Sequence, residues 1–307
     1  MSSENPPHRL SLGIGMTLVA FLFMAIASAF VWSFQGRFPT IQIIFIQNVV
    51  SFFCILPLAL RHGWERLKTD FLHIHFIRDL FGVGSYHLFF LAIRYLNLID
   101  ATTLNYTAPF FVPFVWWFWM HEKIEHSVWW TIILGFIGVV VVLNPSKGIF
   151  QPGFFFGLFA GVSSAVALVS LRILNLKREP LTRTLFYYFS VGSLLSFPFA
   201  WASWVPPEGK EWLLASGVGL TTAIGQVLLT IAYRHGTASF LSPLGYSVVI
   251  YAGLISYFIF QKPLGWHSII GTLLIVLGGT FTYVIKKRPR TLKETFEPPK
   301  PKNIPPL

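Results

Sequence analysis

Leu12–Phe34 reads LGIGMTLVAFLFMAIASAFVWSF, and Gly153–Leu174 reads GFFFGLFAGVSSAVALVSLRIL. Each is an apolar run of the roughly 20 residues that a helix needs to cross the ~30 Å hydrocarbon core of a bilayer. Set 140 residues apart, the two match at Gly13/Gly153, Leu18/Leu158, Ala20/Ala160, Ala25/Ala165 and Ala27/Ala167. Similar runs occupy Thr40–Leu60, Ile74–Tyr95, Ala101–Met120 and Ser127–Leu143, then Leu181–Trp204, Trp212–Tyr233, Thr237–Phe260 and Trp266–Ile285. The chain is 54% hydrophobic and 11% charged, whereas a soluble domain is about one-quarter charged. The expectation is an all-α membrane protein of ten transmembrane helices.

The same offset extends beyond the first pair. Leu88, Ala92 and Arg94 meet Leu228, Ala232 and Arg234, and Tyr106, Phe118 and Gly138 meet Tyr246, Phe258 and Gly278. All five helix pairs fall into register, with a short Pro/Gly connection between the fifth and sixth runs. The chain therefore divides into a short N-terminal segment (1–11), one five-helix repeat (12–145), a second (146–285) and a basic, Pro-rich tail (286–307). The first run is too long for a signal-peptide core and has no small-residue cleavage site near Phe34, so it reads as a retained helix.

Charge fixes an orientation. With the N-terminus inside, the inner segments hold Arg9, Arg61, Arg66, Lys68, Arg78, Lys123, Arg172, Lys177, Arg178, Arg183, Arg234 and the seven basic residues after Ile285. The outer loops hold only Arg37, Arg94, Lys147, Lys210 and Lys262. Lys and Arg accumulate in cytoplasmic loops, so both termini are expected inside. An odd number of spans between the repeats' starting points then makes them inverted, and inverted repeats are a device of secondary transporters. The net charge of +11 follows from the tail, whose place beside the last helix suits anionic lipid and not nucleic acid. The one cysteine, Cys54, rules out a disulfide within the chain and reads as a buried small apolar residue. Trp64, Trp129, Trp130, Trp204 and Trp212 near helix ends read as interface anchors.

Polar groups near helix midpoints are the candidate site, since turning them toward lipid costs several kcal/mol, roughly, for each unsatisfied group. They are Tyr86 with Ser85 and His87 on the third helix, Asn105 and Tyr106 on the fourth, Gln226 with Thr221 and Thr222 on the eighth, and Tyr246 on the ninth. Tyr86/Gln226 and Tyr106/Tyr246 are equivalent at the 140 offset. Trp32 and Gln47 are further candidates for lining a cavity. Hydrogen bonding between helices is the other reading of each. Pro109 and Pro243 each free a backbone carbonyl one turn back, which a packed kink or a polar cavity accommodates. Gly157 and Gly161 read as close helix contacts.

Enzyme and metal chemistry find little footing. His121-Glu122-Lys123-Ile124-Glu125-His126 places its histidines five apart, about 140° around a helix, where a zinc pair needs i, i+4. There is no Walker A sequence and no cofactor fingerprint, so no cofactor is expected. The carboxylates Asp79, Asp100 and Glu122 sit toward helix ends, and His87 is the one imidazole near a helix midpoint. Exchange or facilitated movement is therefore favoured over proton coupling.

Several motifs now carry a resemblance. Ala92-Ile93-Arg94-Tyr95, Asp100-Ala101-Thr102, Pro109, Glu122-Lys123, Gly135-Phe136-Ile137-Gly138-Val139 and Asn144-Pro145 occur in that order. Ala232-Tyr233-Arg234, Pro243, Tyr246 and Gly271 through Gly278 follow in the second half. This sequence resembles the EamA-type unit of the drug/metabolite transporter superfamily over Leu12–Ile285, and within it the subgroup that includes S-adenosylmethionine uptake proteins. Amino-acid and purine-metabolite exporters share the frame. Lys262 departs from it, standing where the second unit commonly has Glu. The resemblance implies a multi-pass carrier of the bacterial inner membrane that moves a small organic metabolite by alternating access. A non-transport membrane protein, such as an embedded enzyme or lipid scramblase, is the alternative.

Overall fold

A computed structural model describes residues 7–34, 36–61, 63, 67–121, 126–143, 151–235, 242–262 and 265–286. Among these residues there is no strand. The helices of the first half are α1 (Pro7–Ser33), α2 (Thr40–Leu60), α3 (Leu72–Tyr95), α4 (Leu98–Asn105), α5 (Ala108–Met120) and α6 (His126–Leu143). Those of the second are α7 (Pro152–Leu176), α8 (Leu181–Ala202), α9 (Lys210–His235), a 3-10 segment (Ser242–Tyr246), α10 (Ser247–Phe258) and α11 (Trp266–Lys286). Six spans among the described residues, within α1, α2, α3, α7, α8 and α9, are long and apolar enough to cross a membrane, and shorter apolar helices accompany them.

Within an apolar core several polar side chains are buried, and many of the largest apolar side chains face outward. Gln42, Gln47, Asn48, His75 and Asp79 are buried, while Phe118, Leu213 and Trp266 are 75–77% exposed. An outer surface of large apolar side chains, with polar groups held inside among apolar ones, suits a bilayer and would be a liability in water. This is a helical membrane protein.

The fourth apolar run is not one helix. Thr107 N–H turns to the Leu104 carbonyl at 3.1 Å and Phe110 N–H to the Thr107 carbonyl at 2.9 Å. These tight turns, with Pro109 beside them lacking an N–H, end α4 at Asn105 and restart the chain as α5 at Ala108. The ninth run changes at the equivalent place: a 3-10 segment gives way to α10 at Ser247, 140 residues after Thr107. The expected first residues of that run, 237–241, lie outside the described residues, as do Glu122 and Lys123. Cys54 also departs from expectation, because it is exposed on α2. Hydropathy reports how apolar a helix is and not which of its sides meets lipid.

The most extensive helix contacts are α3 with α7, α1 with α9, α6 with α11 and α2 with α8. Every one joins the two halves. Exchanging the halves turns the first pair into the second and leaves the other two unchanged. Small residues bring the backbones together. A Cβ on Gly157 would stand 2.8 Å from that of Leu104, and one on Gly138 would stand 2.9 Å from the Gly271 carbonyl.

Candidate functional site

α3 and α9 bring Tyr86 and Gln226 together. Their side chains share a hydrogen bond, and both are half-buried. Tyr86 is held from below by the Phe90 ring, edge to face at 5.8 Å between centroids. Helix side chains lean toward the N-terminus of their own helix, so each member of this pair reaches back along its helix to meet the other.

Ser85, next to Tyr86 in the chain, faces the α4–α5 break. A helical bond to the Asn105 carbonyl would come from residue 109, and Pro109 has no N–H to supply it. The Asn105 side chain turns to α3 and α7: Oδ1 is 3.4 Å from both Ser85 Oγ and Ser164 Oγ. Ser85 and Ser164 are 2.6 Å apart, and Ser85 Oγ is 2.9 Å from the Ala160 carbonyl that it can donate to. Ser163 returns the bond across the same contact by donating to the Phe81 carbonyl at 2.7 Å. Tyr106, next in the chain, meets Phe21 of α1 edge to face at 6.3 Å.

At the matching transition in the second half, Tyr246 is 5% exposed and its hydroxyl has no hydrogen-bond partner among the described residues. The same holds for the hydroxyl of Ser247. Gln47 on α2 is buried, and neither of its amide atoms has a hydrogen-bond partner among the described residues. A buried polar atom without a partner costs about 1–3 kcal/mol, so four such atoms (Tyr246 Oη, Ser247 Oγ and both atoms of the Gln47 amide) mark a polar interior whose hydrogen-bonding capacity is not used up by the protein.

The remaining sequence candidates are spread out. Thr222 is buried on α9. His87 Nδ1 is 3.0 Å from Thr40 Oγ1, at the first residue of α2, and Trp32 stacks on Phe260 at 4.0 Å, beyond the end of α10. Pro109 stands at the start of α5 and Pro243 within the 3-10 segment. The structure thus joins Tyr86 with Gln226 and Asn105 with two serines, pairs His87 with the first residue of α2, and leaves Trp32 at the end of α1.

Sequence reasoning passed over Ser164 and a set of buried charges. Arg78 Nη1 donates to Asp79 Oδ1 at 2.9 Å with both side chains buried, and the guanidinium lies 4.5 Å over the Tyr188 ring. Glu179, in the α7–α8 connection, is 8% exposed. In the sequence it stands among Lys177, Arg178 and Arg183, a pattern that reads as a charged loop. No group of three His, Cys, Asp or Glu residues is placed to hold a metal ion among the described residues.

A helical membrane protein whose halves meet through paired polar side chains and interrupted helices is built as carriers are. The EamA-like transporter family is matched twice along the chain, over residues 11–144 and 151–284. The chain belongs to the EamA-like transporter family; it is a transporter and not an enzyme. It is 26% identical to a pseudopaline exporter of Pseudomonas aeruginosa (strain UCBPP-PA14), covering 90% of this chain and 94% of that protein. It is 25% identical to an S-adenosylmethionine uptake transporter of Rickettsia felis, covering 92% and 95% respectively. A solved crystal structure shares its fold at a TM-score of 0.63 and 20% identity, over 90% of this chain and 99% of the other.

Proposed function

We propose that this protein is a secondary carrier of ten spans, in which residues 12–145 and 146–285 form two inverted five-helix repeats that work by alternating access. Two observations support the repeats: the family match occurs twice, and the main helix contacts map onto one another when the halves are exchanged. The excess of Lys and Arg in one set of loops supports an orientation with both termini in the cytoplasm, and the family match supports a location in a bacterial inner membrane.

The observation that carries the site is the bond between Tyr86 and Gln226. Residues at equivalent positions of two repeats touch each other only near the axis that relates them, which in an inverted pair lies at midplane. Substrates of such carriers bind there, between repeats and beside interrupted helices. Tyr86, Gln226, Asn105, Tyr106 and Tyr246 are the proposed contacts. The tyrosines offer ring faces for stacking or a cation–π contact, and the amides and hydroxyls offer neutral hydrogen bonds.

The cargo is a small, partly polar organic metabolite. The named relatives carry pseudopaline outward and S-adenosylmethionine inward, and a cargo of that general kind fits a neutral, aromatic, hydrogen-bonding site. With no midplane carboxylate, movement proceeds by exchange or down a gradient. The test is purified protein in liposomes offered amino acids, nucleosides and S-adenosylmethionine analogues. Saturable uptake of one of them supports the reading, and failure to move any contradicts it.

A further inference from the structure

Far from the Tyr86–Gln226 pair, one carboxylate ties the two halves together. Helix α7 ends in a two-bond C-terminal turn: Arg178 N–H reaches the Asn175 carbonyl and Glu179 N–H the Leu174 carbonyl, each at 3.0 Å. Arg178 takes the left-handed position of that turn at φ 60°, where glycine is the usual residue. The turn aims Glu179 into the protein. Its side chain is 4% exposed.

Both halves supply its partners. Thr69 Oγ1 donates to Oε1 at 2.9 Å, and His75 Nε2 is 3.5 Å from Oε2. Arg183 Nη1 donates to both oxygens, at 3.1 and 2.9 Å. Alongside, the Tyr187 hydroxyl donates to the Leu67 carbonyl at 2.9 Å, and its ring packs 4.8 Å from that of His75. Leu67, Thr69 and His75 belong to the first half; Glu179, Arg183 and Tyr187 belong to the second.

The opposite end of the molecule is tied differently. The position 140 residues before Glu179 is Pro39. There Gln42 and Val205 exchange two hydrogen bonds, at 2.6 and 2.9 Å, and Arg37 pairs with Glu208 and Glu211 near solvent.

We propose that Glu179 is the latch of the end that faces the cytoplasm, resting on the alternating-access reading above. A carboxylate out of water needs a compensating cation in every state it visits. Arg183 lies one helical turn further along the same half and travels with Glu179 when the halves separate. Of the contacts that Glu179 makes among the described residues, opening therefore breaks those to Thr69 and His75 and keeps those to Arg183, and the charge is never abandoned. The latch can release without unfolding, and its strength is set by two side chains of the other half.

The test uses the full-length protein in lipid nanodiscs, comparing wild type with Thr69→Val, and with Glu179→Gln where that variant folds. Amide hydrogen exchange of residues 67–75 and 177–187 is expected to rise at least about tenfold in Thr69→Val, with residues 205–211 unchanged. In oriented vesicles, the half-saturating cargo concentration is expected to fall about threefold or more from the Glu179 face and to rise from the other face. Opposed shifts report a displaced equilibrium between states; general structural damage would not produce them. Unchanged exchange in Thr69→Val overturns the latch. Because exchange needs no cargo, a protein that moves nothing would sink the transport reading and still report on Glu179.

Discussion

The contact of α3 with α7 and the contact of α9 with α1 occupy matching positions, each becoming the other when the halves are exchanged, and they are filled with different chemistry. In the first, Ser85 sits 2.9 Å from the Ala160 carbonyl and 2.6 Å from Ser164. In the second, Gly225 faces the Ala20 carbonyl, where a Cβ would stand at 3.0 Å, and the Met24 side chain at 3.2 Å. The glycine has also changed sides in the neighbouring contact. Gly161 of α7 packs on Leu104 and Thr107, while at the matching place Phe21 of α1 packs on Gly245. Backbone spacing is common to both halves and side-chain polarity is not. Close approach is what holds a bundle together in lipid, where apolar burial gives helices no reason to associate, so spacing is kept while the polar groups are free to differ.

Four substitutions break or sharpen this contrast. The largest effect belongs to Gly161→Ala: its Cβ would lie 2.5 Å from Thr107 Oγ1 and 3.0 Å from the Leu104 carbonyl. The 2.5 Å overlap is the severe one, because the Thr107 hydroxyl is held by its bond to the Leu104 carbonyl, so overpacking costs about 2–3 kcal/mol, read as a lowered melting temperature in detergent. Gly245→Ala meets only the Phe21 ring at 3.3 Å and should melt much closer to wild type. Next comes Ser85→Ala, which removes the bond to the Ala160 carbonyl and costs about 1 kcal/mol in the same assay. The smallest belongs to the matching Gly225→Ala, whose Cβ comes no nearer than 3.0 Å to the Ala20 carbonyl, so a shift of a few tenths of an ångström with the flexible Met24 yielding keeps the loss within about 0.5 kcal/mol. Equal costs at positions 85 and 225 would erase the distinction between the two contacts.

Much of this arrangement is visible in the sequence. The extents of α1, α2, α3, α7, α8 and α9 follow from apolar length, because a bilayer demands it. The 140-residue offset pairs Tyr86 with Gln226 before any coordinates. The helix interruptions are not visible. Apolar character runs straight through Tyr106 and Tyr246, and proline is no guide, since Pro57 and Pro113 sit inside unbroken helices. The interruption comes from where two N–H groups turn, which no periodicity records. Glu179 is hidden for a related reason: Lys177-Arg178-Glu179-Pro180 reads as a charged loop, and only the turn at Arg178 sends the carboxylate inward. Cys54 shows the limit of hydropathy, which cannot distinguish a lipid-facing position from a buried one.

The central claim is that Tyr86 and Gln226 together form the core of the transport site. Uptake into proteoliposomes by Tyr86→Phe, Gln226→Ala and the double variant tests it directly. The predicted result is a half-saturating concentration raised about tenfold in each single variant, equivalent to about 1.4 kcal/mol. The double variant should be little worse than either, because both singles remove the same bond. Wild-type uptake in all three would contradict the account.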